Sequence, residues 1–390
     1  MARQVSFKNL ISRPNLELAW RRITTGINHQ HKRYFRHLYY AYETALDANL
    51  SDLHARLRGG SYRPQAPTRI YLPKPSGLQR PLTLLCIEDQ IVLQAVANCF
   101  ALKLAPRRRA FELKSVFSNV LQDETAGIFF LQDWHDTYYK FERKIEALFN
   151  AGLRWIAHFD LAAFYDTISH DLLLRTAFPK GGLGDGRAII LGWLKTWSAE
   201  KQTSTYGHGI PQGPIASDFL AECFLLPVDE ALTKEFPYVH YVDDIRLFGS
   251  SEAEVRRAAV RLEVLCRERG LIPQGKKFAI TEATSLDDAL GMLPSLAPPH
   301  NDEDPEQPFA FPAEEAVEKF ESALAEETQL IAFGTLVDAA QPFAKAYPVI
   351  AEAFRAVNAR RNAIPGSHPY EKKGGSTNTT LKERGTESAR

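Results

Sequence analysis

The run Tyr238-Val-His-Tyr-Val-Asp-Asp-Ile-Arg-Leu-Phe-Gly249 restricts what this chain can fold into more than any other stretch. β-Branched and aromatic residues flank Asp243 and Asp244, and the turn signal Gly249-Ser-Ser251 closes the run. The pattern predicts a β-hairpin with both carboxylates at its tip. Adjacent carboxylates repel, and where water is excluded their pKa values rise unless a cation neutralises them. A divalent metal would supply that cation. A solvated surface turn needs none, so both readings stand until the rest of the chain is considered.

A third carboxylate lies upstream. Trp155-Ile-Ala-His-Phe159 is an apolar strand that delivers Asp160 at its end, and Ser169 is placed to cap a helix over His170 to Ala177. Gly207-His-Gly-Ile-Pro-Gln-Gly-Pro214 is a tight loop leading into a helix from Ile215 to Leu232. Gly209 and Gly213 allow a ligand to approach the backbone closely, and Gln212 can present its amide to a base or sugar. Tyr62 to Leu84 reads as two strands around the turn Lys74-Pro-Ser-Gly-Leu-Gln-Arg80, with Arg69, Lys74 and Arg80 projecting where they can grip a triphosphate. Further helices are expected over Leu16 to Leu57 (divided near Gly26), Ile87 to Leu104, about Glu124 to Phe149, Arg187 to Ala199 and Ser251 to Arg269. An acidic, Pro-containing linker at 301–312 leads to a small helical region at 313–365, and the polar segment 366–390 is expected to be disordered.

Charge adds a partner class. The chain holds 47 Lys or Arg and 47 Asp or Glu, but residues 1 to 114 contain 19 of the former against 7 of the latter, leaving 28 against 40 in the remainder. A basic surface for a polyanion is expected in the first part and carboxylate chemistry in the second. In the stretch His29 to Tyr40, an amphipathic helix accounts for Phe35 and Tyr39 as inward-facing rings, while Lys32, Arg33 and Arg36 remain candidates for nucleic-acid contact, together with Arg69. Cys86, Cys99, Cys223 and Cys266 are widely spaced and read as reduced core thiols. No run of about 18 apolar residues occurs, and the first residues lack the apolar core of a secretion signal, so a cytoplasmic protein that does not span a membrane is expected. With oxygen ligands dominating around the three carboxylates, Mg²⁺ suits them better than Zn²⁺, and His158 and His240 read as packed strand residues.

Taken in order, these motifs resemble reverse transcriptases, particularly the bacterial enzymes related to group II introns and retrons, over roughly Gly59 to Leu293. Tyr71-Leu-Pro-Lys-Pro-Ser-Gly-Leu-Gln-Arg-Pro-Leu82 and Glu88-Asp-Gln90 are similar to the family's fingers motifs. Phe159-Asp-Leu-Ala-Ala-Phe-Tyr-Asp166 resembles its first palm motif, Gly209-Ile-Pro-Gln-Gly-Pro214 the loop before the palm helix, and Tyr241-Val-Asp-Asp244 the Tyr-x-Asp-Asp hairpin. Lys277 lies where the family keeps a lysine after a glycine, and Leu290-Gly-Met-Leu293 resembles the primer-grip motif. Pro273-Gln-Gly-Lys-Lys-Phe278 departs from the family's usual Asn or His and Thr around that lysine, so Lys276 competes for the position.

The resemblance implies an α+β right-hand polymerase. Its parts would be an N-terminal helical extension (1–58), fingers (59–155, with an aromatic helical insertion near 105–150), a palm of antiparallel sheet and helices (156–300, with a fingers-associated helix near 181–208) and a short helical thumb-like region (313–365). The implied activity is RNA-directed DNA synthesis with two Mg²⁺ ions about 4 Å apart, for which Mn²⁺ can substitute. Asp160, Asp243, Asp244 and the Leu161 carbonyl would hold the metals; Lys74 and Arg80 would hold the triphosphate; Gln212 and Gly213 would lie against the nucleotide. Tyr165 would exclude a 2′-hydroxyl, and Lys277 would serve the departing pyrophosphate. The N-terminal helices with Trp20-Arg-Arg22, the aromatic helix around Trp134 and the short C-terminal region look most like stand-alone enzymes of the "unknown group" and abortive-infection type, many of which serve antiphage defence with a noncoding RNA. The expected partners are therefore an RNA template, dNTPs and the DNA product, and a homo-oligomer is compatible with the sequence. Untemplated or protein-primed synthesis by the same palm, and a catalytically silent nucleic-acid-binding scaffold, are the alternatives.

Overall fold

The computed structural model describes residues 5–25, 35–73, 79–179, 182–199 and 206–291. The linker at 301–312, the helical region at 313–365, the segment 366–390, and Lys32, Arg33 and Lys74 lie outside the described residues.

The described N-terminal residues form α1 (Phe7–Leu10), α2 (Arg13–Thr24), α3 (Arg36–Glu43) and α4 (Leu46–Arg58). Their apolar stripe buries Leu16, Trp20, Ile23, Leu50, Leu53 and Leu57. Phe35 and Tyr39 also turn inward, so neither ring is free to stack on a base. Arg22 is fully buried and pins α2 to distant chain, donating to Asn98 Oδ1 at 2.8 Å and to the carbonyls of Asp123 and Gly127 at 2.9 Å. Strands β1 (Thr68–Pro73) and β2 (Gln79–Leu84) form the expected antiparallel hairpin, with Leu72 opposite Arg80. The next helix, α5 (Ile87–Arg108), is buried on all sides and runs past the expected end at Leu104, accommodating Pro106 in its last turn.

The expected helix from about Glu124 is corrected. Helix α6 covers Trp134–Asn150, because Asp133 supplies its cap by accepting from the amides of His135 and Asp136. Upstream, the Asp123 carboxylate draws in the amides of Thr125 and Ala126, which makes a local turn where a helix was expected. Those bonds hold Asp123 well below the usual carboxylate range.

Then follow β3 (Trp155–Phe159), β4 (Leu161–Ala162), α7 (Phe164–Thr167), α8 (His170–Ala177), α9 (Gly186–Ser198) and α10 (Ile215–Leu232). The remainder comprises β5 (Tyr238–Tyr241), β6 (Asp244–Gly249), α11 (Glu252–Glu268), β7 (Ile272–Pro273), β8 (Ala279–Glu282) and α12 (Leu286–Leu290). Ser169 caps α8 through the Leu172 amide, as its position before an apolar run predicts.

The sheet has the order β5-β6-β3-β8, antiparallel throughout, and both of its faces are covered. Alternation along the strands divides the side chains: Ala157, Phe159, Ile245 and Leu247 join the large core with α8, α10 and α11. Ile156, Val239 and Phe248 join a smaller core with Phe141, Ile145 and Phe149 of α6 and Ala289 of α12. A sheet packed on both faces leaves its ends as the place where polar groups meet solvent, and the carboxylates cluster at one of those ends. All four cysteines are buried and free. Among the described residues no helix is long and apolar enough to cross a membrane.

Candidate active site

Strands β5 and β6 pair from Tyr238 opposite Leu247 to Tyr241 opposite Asp244, so Val242 and Asp243 form a two-residue turn. Val242 has φ +56°, a left-handed conformation that crowds a β-branched side chain. Strand β3 lies beside β6 with Phe159 opposite Ile245, which puts the next residue, Asp160, at the same end of the sheet as the turn. The Asp160 carbonyl accepts from the Gln274 amide at 2.8 Å, fixing the strand end to the segment that carries Lys277.

Asp160 and Asp243 repel each other. Burial pushes the Asp243 carboxyl up, the Asp160 charge pushes it further, and Lys277 partly opposes both. The Lys277 ammonium lies 2.9 Å from Asp160 Oδ2, so the ion pair belongs to Lys277 and not to its neighbour Lys276. Asp244 is engaged differently: Arg246 lies 3.3 Å from its carboxylate. Arg246 is itself buried and donates to the carbonyls of Leu290 at 2.7 Å and Ala289 at 3.2 Å. Leu161 is buried on β4, opposite Pro273. Among the described residues no three His, Cys, Asp or Glu side chains already converge as a metal cage. What the structure brings together is a pair of mutually repelling carboxylates, Asp160 and Asp243, whose charge one lysine partly offsets. An all-oxygen donor pair with excess negative charge fits a hard divalent cation.

The glycine-rich loop is bonded to both neighbours. The Gly209 amide donates to the Ile168 carbonyl at 2.8 Å and the Ile210 amide to the Tyr165 carbonyl at 3.0 Å. The Gly209 carbonyl accepts from His170 Nε2 at 2.6 Å and from the Ser198 hydroxyl at 2.5 Å. Burial holds His170 down at about 4, so the ring is neutral and Nε2–H is the donor. On the other side, the Gln212 carbonyl accepts from the Thr83 amide of β2 at 2.8 Å, which ties the loop to the basic hairpin. Gly209 and Gly213 have φ +90° and +119°, where any side chain would strain the loop. Tyr165 donates to Asp218 of α10 at 2.7 Å, so its ring is held against the palm. Burial lifts Asp218 to about 7 against the lowering effect of that bond.

The other candidates separate. Arg69 does not project from the hairpin bend: it sits opposite Thr83 near the base of β1 and donates from Nη2 to the Ser198 carbonyl at 2.9 Å, satisfying the end of α9. Arg36 opens α3 and Arg80 lies on β2. His158 and His240 are strand residues, as expected, but His240 does more than fill space. It lies 3.2 Å from Asp229 and 4.0 Å from Glu222, entirely buried on the strand that leads into the Val242–Asp243 turn. Burial alone would lower it, yet the two carboxylates raise it to about 9.

A group raised above its unfolded value of 6.5 adds stability that is fully present below that pH and is lost as pH rises through 9. The melting temperature is therefore expected to fall between pH 6.5 and 9.5, and His240→Gln is expected to flatten that slope. Thermal melts across the range check both. Sequence reasoning also missed His170, Ser198, Thr83 and Arg246, because none belongs to a spacing pattern and the partners that fix them, for Arg246 the Ala289 and Leu290 carbonyls beside nearby Asp244, are remote in sequence.

Known proteins similar to this chain identify its family. The family profile described as reverse transcriptase (RNA-dependent DNA polymerase) matches residues 72–293. Protein YkfC of Escherichia coli (strain K12) is 22% identical over 222 residues, which cover 56% of this chain and 54% of that protein, so the chain spans about half the length of this curated relative. Among solved structures, telomerase from Candida albicans in complex with a fragment of telomeric RNA aligns with TM-score 0.39 and 13% identity over 57% of this chain and 43% of its own. A partial Cas6-RT-Cas1–Cas2 complex aligns with TM-score 0.31 and 19% identity over 67% and 41%. The matched residues extend from the basic hairpin through the Val242–Asp243 turn to the segment after α12, and the chain belongs to the reverse transcriptase (RNA-dependent DNA polymerase) family.

Proposed function

We propose that this chain is an RNA-directed DNA polymerase whose catalytic centre is the Asp160–Asp243 pair at the end of the palm sheet. The observation that carries the reading is the forced proximity of these two carboxylates beside Lys277, an arrangement that costs stability and that a binding scaffold would not need. Asp160 and Asp243 would hold the divalent metals, with Asp244 and the Leu161 carbonyl as further donors. When bound, Mg²⁺ stabilises charge on the entering and leaving oxygens of phosphoryl transfer.

The protein's own groups do the positioning. The Gln212 loop, braced by His170, Ser198 and Thr83, offers a rigid floor for the incoming nucleotide, with Gly213 allowing close approach. Tyr165, whose hydroxyl donates to Asp218, would set its ring against a 2′-hydroxyl on the incoming sugar. Lys74 and Arg80 supply cations for the triphosphate. Lys277 donates a proton or a charge-assisted hydrogen bond to the departing pyrophosphate. The basic first 114 residues and the resemblance to stand-alone bacterial enzymes support a dedicated noncoding RNA as template and a role in antiphage defence in the cytoplasm.

The basic test is incorporation of labelled dNTPs on a primed RNA template. Mg²⁺-dependent, template-dependent synthesis is expected, and its absence under all primer arrangements would refute the reading. Lys277→Ala separates two roles in the same assay. Its half-saturating Mg²⁺ concentration is expected to fall, because the ammonium no longer competes for Asp160, while kcat falls by about tenfold. Lys276→Ala is expected to change neither.

A further inference from the structure

We propose that Ser118 is a positioning residue that holds the catalytic turn in its left-handed form; the proposal rests on the polymerase reading for its kinetic part. Val242 at φ +56° is the residue that turns the chain so that Asp243 faces Asp160. A strained residue persists only where its surroundings hold it. Within the hairpin, the Tyr241–Asp244 pairing closes a two-residue loop that favours positive φ, and the His240 ring donates from Nδ1 to the Val242 carbonyl at 3.2 Å, but neither bonds the Val242 amide. The restraint on that amide comes from a segment 124 residues away in sequence: the Ser118 hydroxyl accepts from the Val242 amide at 2.6 Å. The same hydroxyl donates to Glu222 of α10 at 2.5 Å, and Ser118 is fully buried.

The segment carrying Ser118 is itself fixed to β5. The His240 amide donates to the Ser115 carbonyl at 2.9 Å, and the Phe117 amide returns a bond to the His240 carbonyl at 3.2 Å. Asn119, at φ +48°, anchors the other side by donating to the Asp218 carbonyl at 3.4 Å. Ser118 is thus clamped between α10 and β5, and its single hydroxyl uses both its proton and a lone pair. Without it, the Val242 amide loses its partner and the turn can relax to negative φ, which swings Asp243 away from Asp160. The nucleotide floor around Gln212 is untouched, because its bonds run to Thr83 and not to Ser118. The loss is therefore expected in kcat and not in KM.

A double-mutant cycle on the full chain tests this: Ser118→Ala, Val242→Gly, and both together. Ser118→Ala is expected to lower kcat about tenfold or more, with KM for dNTP within about twofold. Glycine adopts positive φ without strain, so in the Val242→Gly background the cost of Ser118→Ala is expected to drop below about threefold. An equal cost in both backgrounds, or a loss confined to KM, would overturn the proposal. If Ser118→Ala does not melt cooperatively, Ser118→Cys, similar in size and a poor acceptor, takes its place in the cycle with the same expected outcome. The cycle read by thermal melting needs no activity: the drop in melting temperature from Ser118→Ala must also shrink in the Val242→Gly background. A wild-type chain that makes no DNA would count against the polymerase reading, while the melting cycle would still decide the role of Ser118.

Discussion

Asp243→Asn is expected to reduce DNA synthesis by about a thousandfold or more while leaving the melting temperature unchanged or raised. The kinetic loss follows from the proposed role of Asp243 as a metal ligand, because metal-assisted charge stabilisation at a reacting phosphate amounts to several kcal/mol, and each ~1.4 kcal/mol is a factor of ten. The stability gain follows from the geometry: Asp243 is pushed above its ordinary value of 3.8 by burial and by Asp160, so its charged form is disfavoured in the folded state. A raised acid binds its proton more tightly when folded, and wild-type stability falls as pH rises through its titration. The amide has no charge to desolvate and cannot repel Asp160, so that pH-dependent loss is expected to disappear. Parallel melts of wild type and variant from pH 4 upward test the stability half independently of any assay for polymerisation. A residue that merely packed the turn would lose stability when substituted.

The second large effect concerns the sugar. Tyr165→Ala is expected to lower discrimination against ribonucleotides by about a hundredfold if, as proposed, the ring whose hydroxyl bonds Asp218 excludes a 2′-hydroxyl. Tyr165→Phe keeps the ring and removes only the hydroxyl, so its discrimination is expected to match wild type. Both variants take the donor away from Asp218. Since that carboxyl already titrates at about 7, losing the bond favours its protonated form, and the folded state is expected to weaken further as pH rises past neutrality. Ratios of kcat/KM for dNTP and rNTP in the three proteins separate steric exclusion from a simple loss of stability. Equal ratios in wild type and Tyr165→Ala would remove Tyr165 from the specificity account.

Local pattern explains most of what could be read in advance. The helices His170–Ala177 and Ile215–Leu232 are bounded by a Ser cap and a Pro, signals contained within a few residues. The strand ending before Asp160 and the hairpin around Asp243 follow from alternation and from the turn that ends the run. The helix expected from Glu124 begins ten residues later because Asp123 and Asp133 compete for nearby amides, and composition alone does not decide which turn wins. Arg69 looked like a phosphate ligand because charge is visible in sequence and its partner, the Ser198 carbonyl 129 residues away, is not. Arg246 shows the same limit in reverse. It reads as an ordinary strand residue, yet it is buried, neutralises Asp244 and closes the end of α12, work that only the assembled sheet reveals. The two carboxylates were legible; the groups that set their charge and angle were not.

The most direct test of the central claim is to sequence the DNA that the full chain makes with Mg²⁺ on a primed RNA template of defined sequence, beside the Asp160→Asn variant. The account predicts a product complementary to the template from wild type and none above background from the variant. A product that ignores the template sequence, or synthesis that survives in Asp160→Asn, would contradict it.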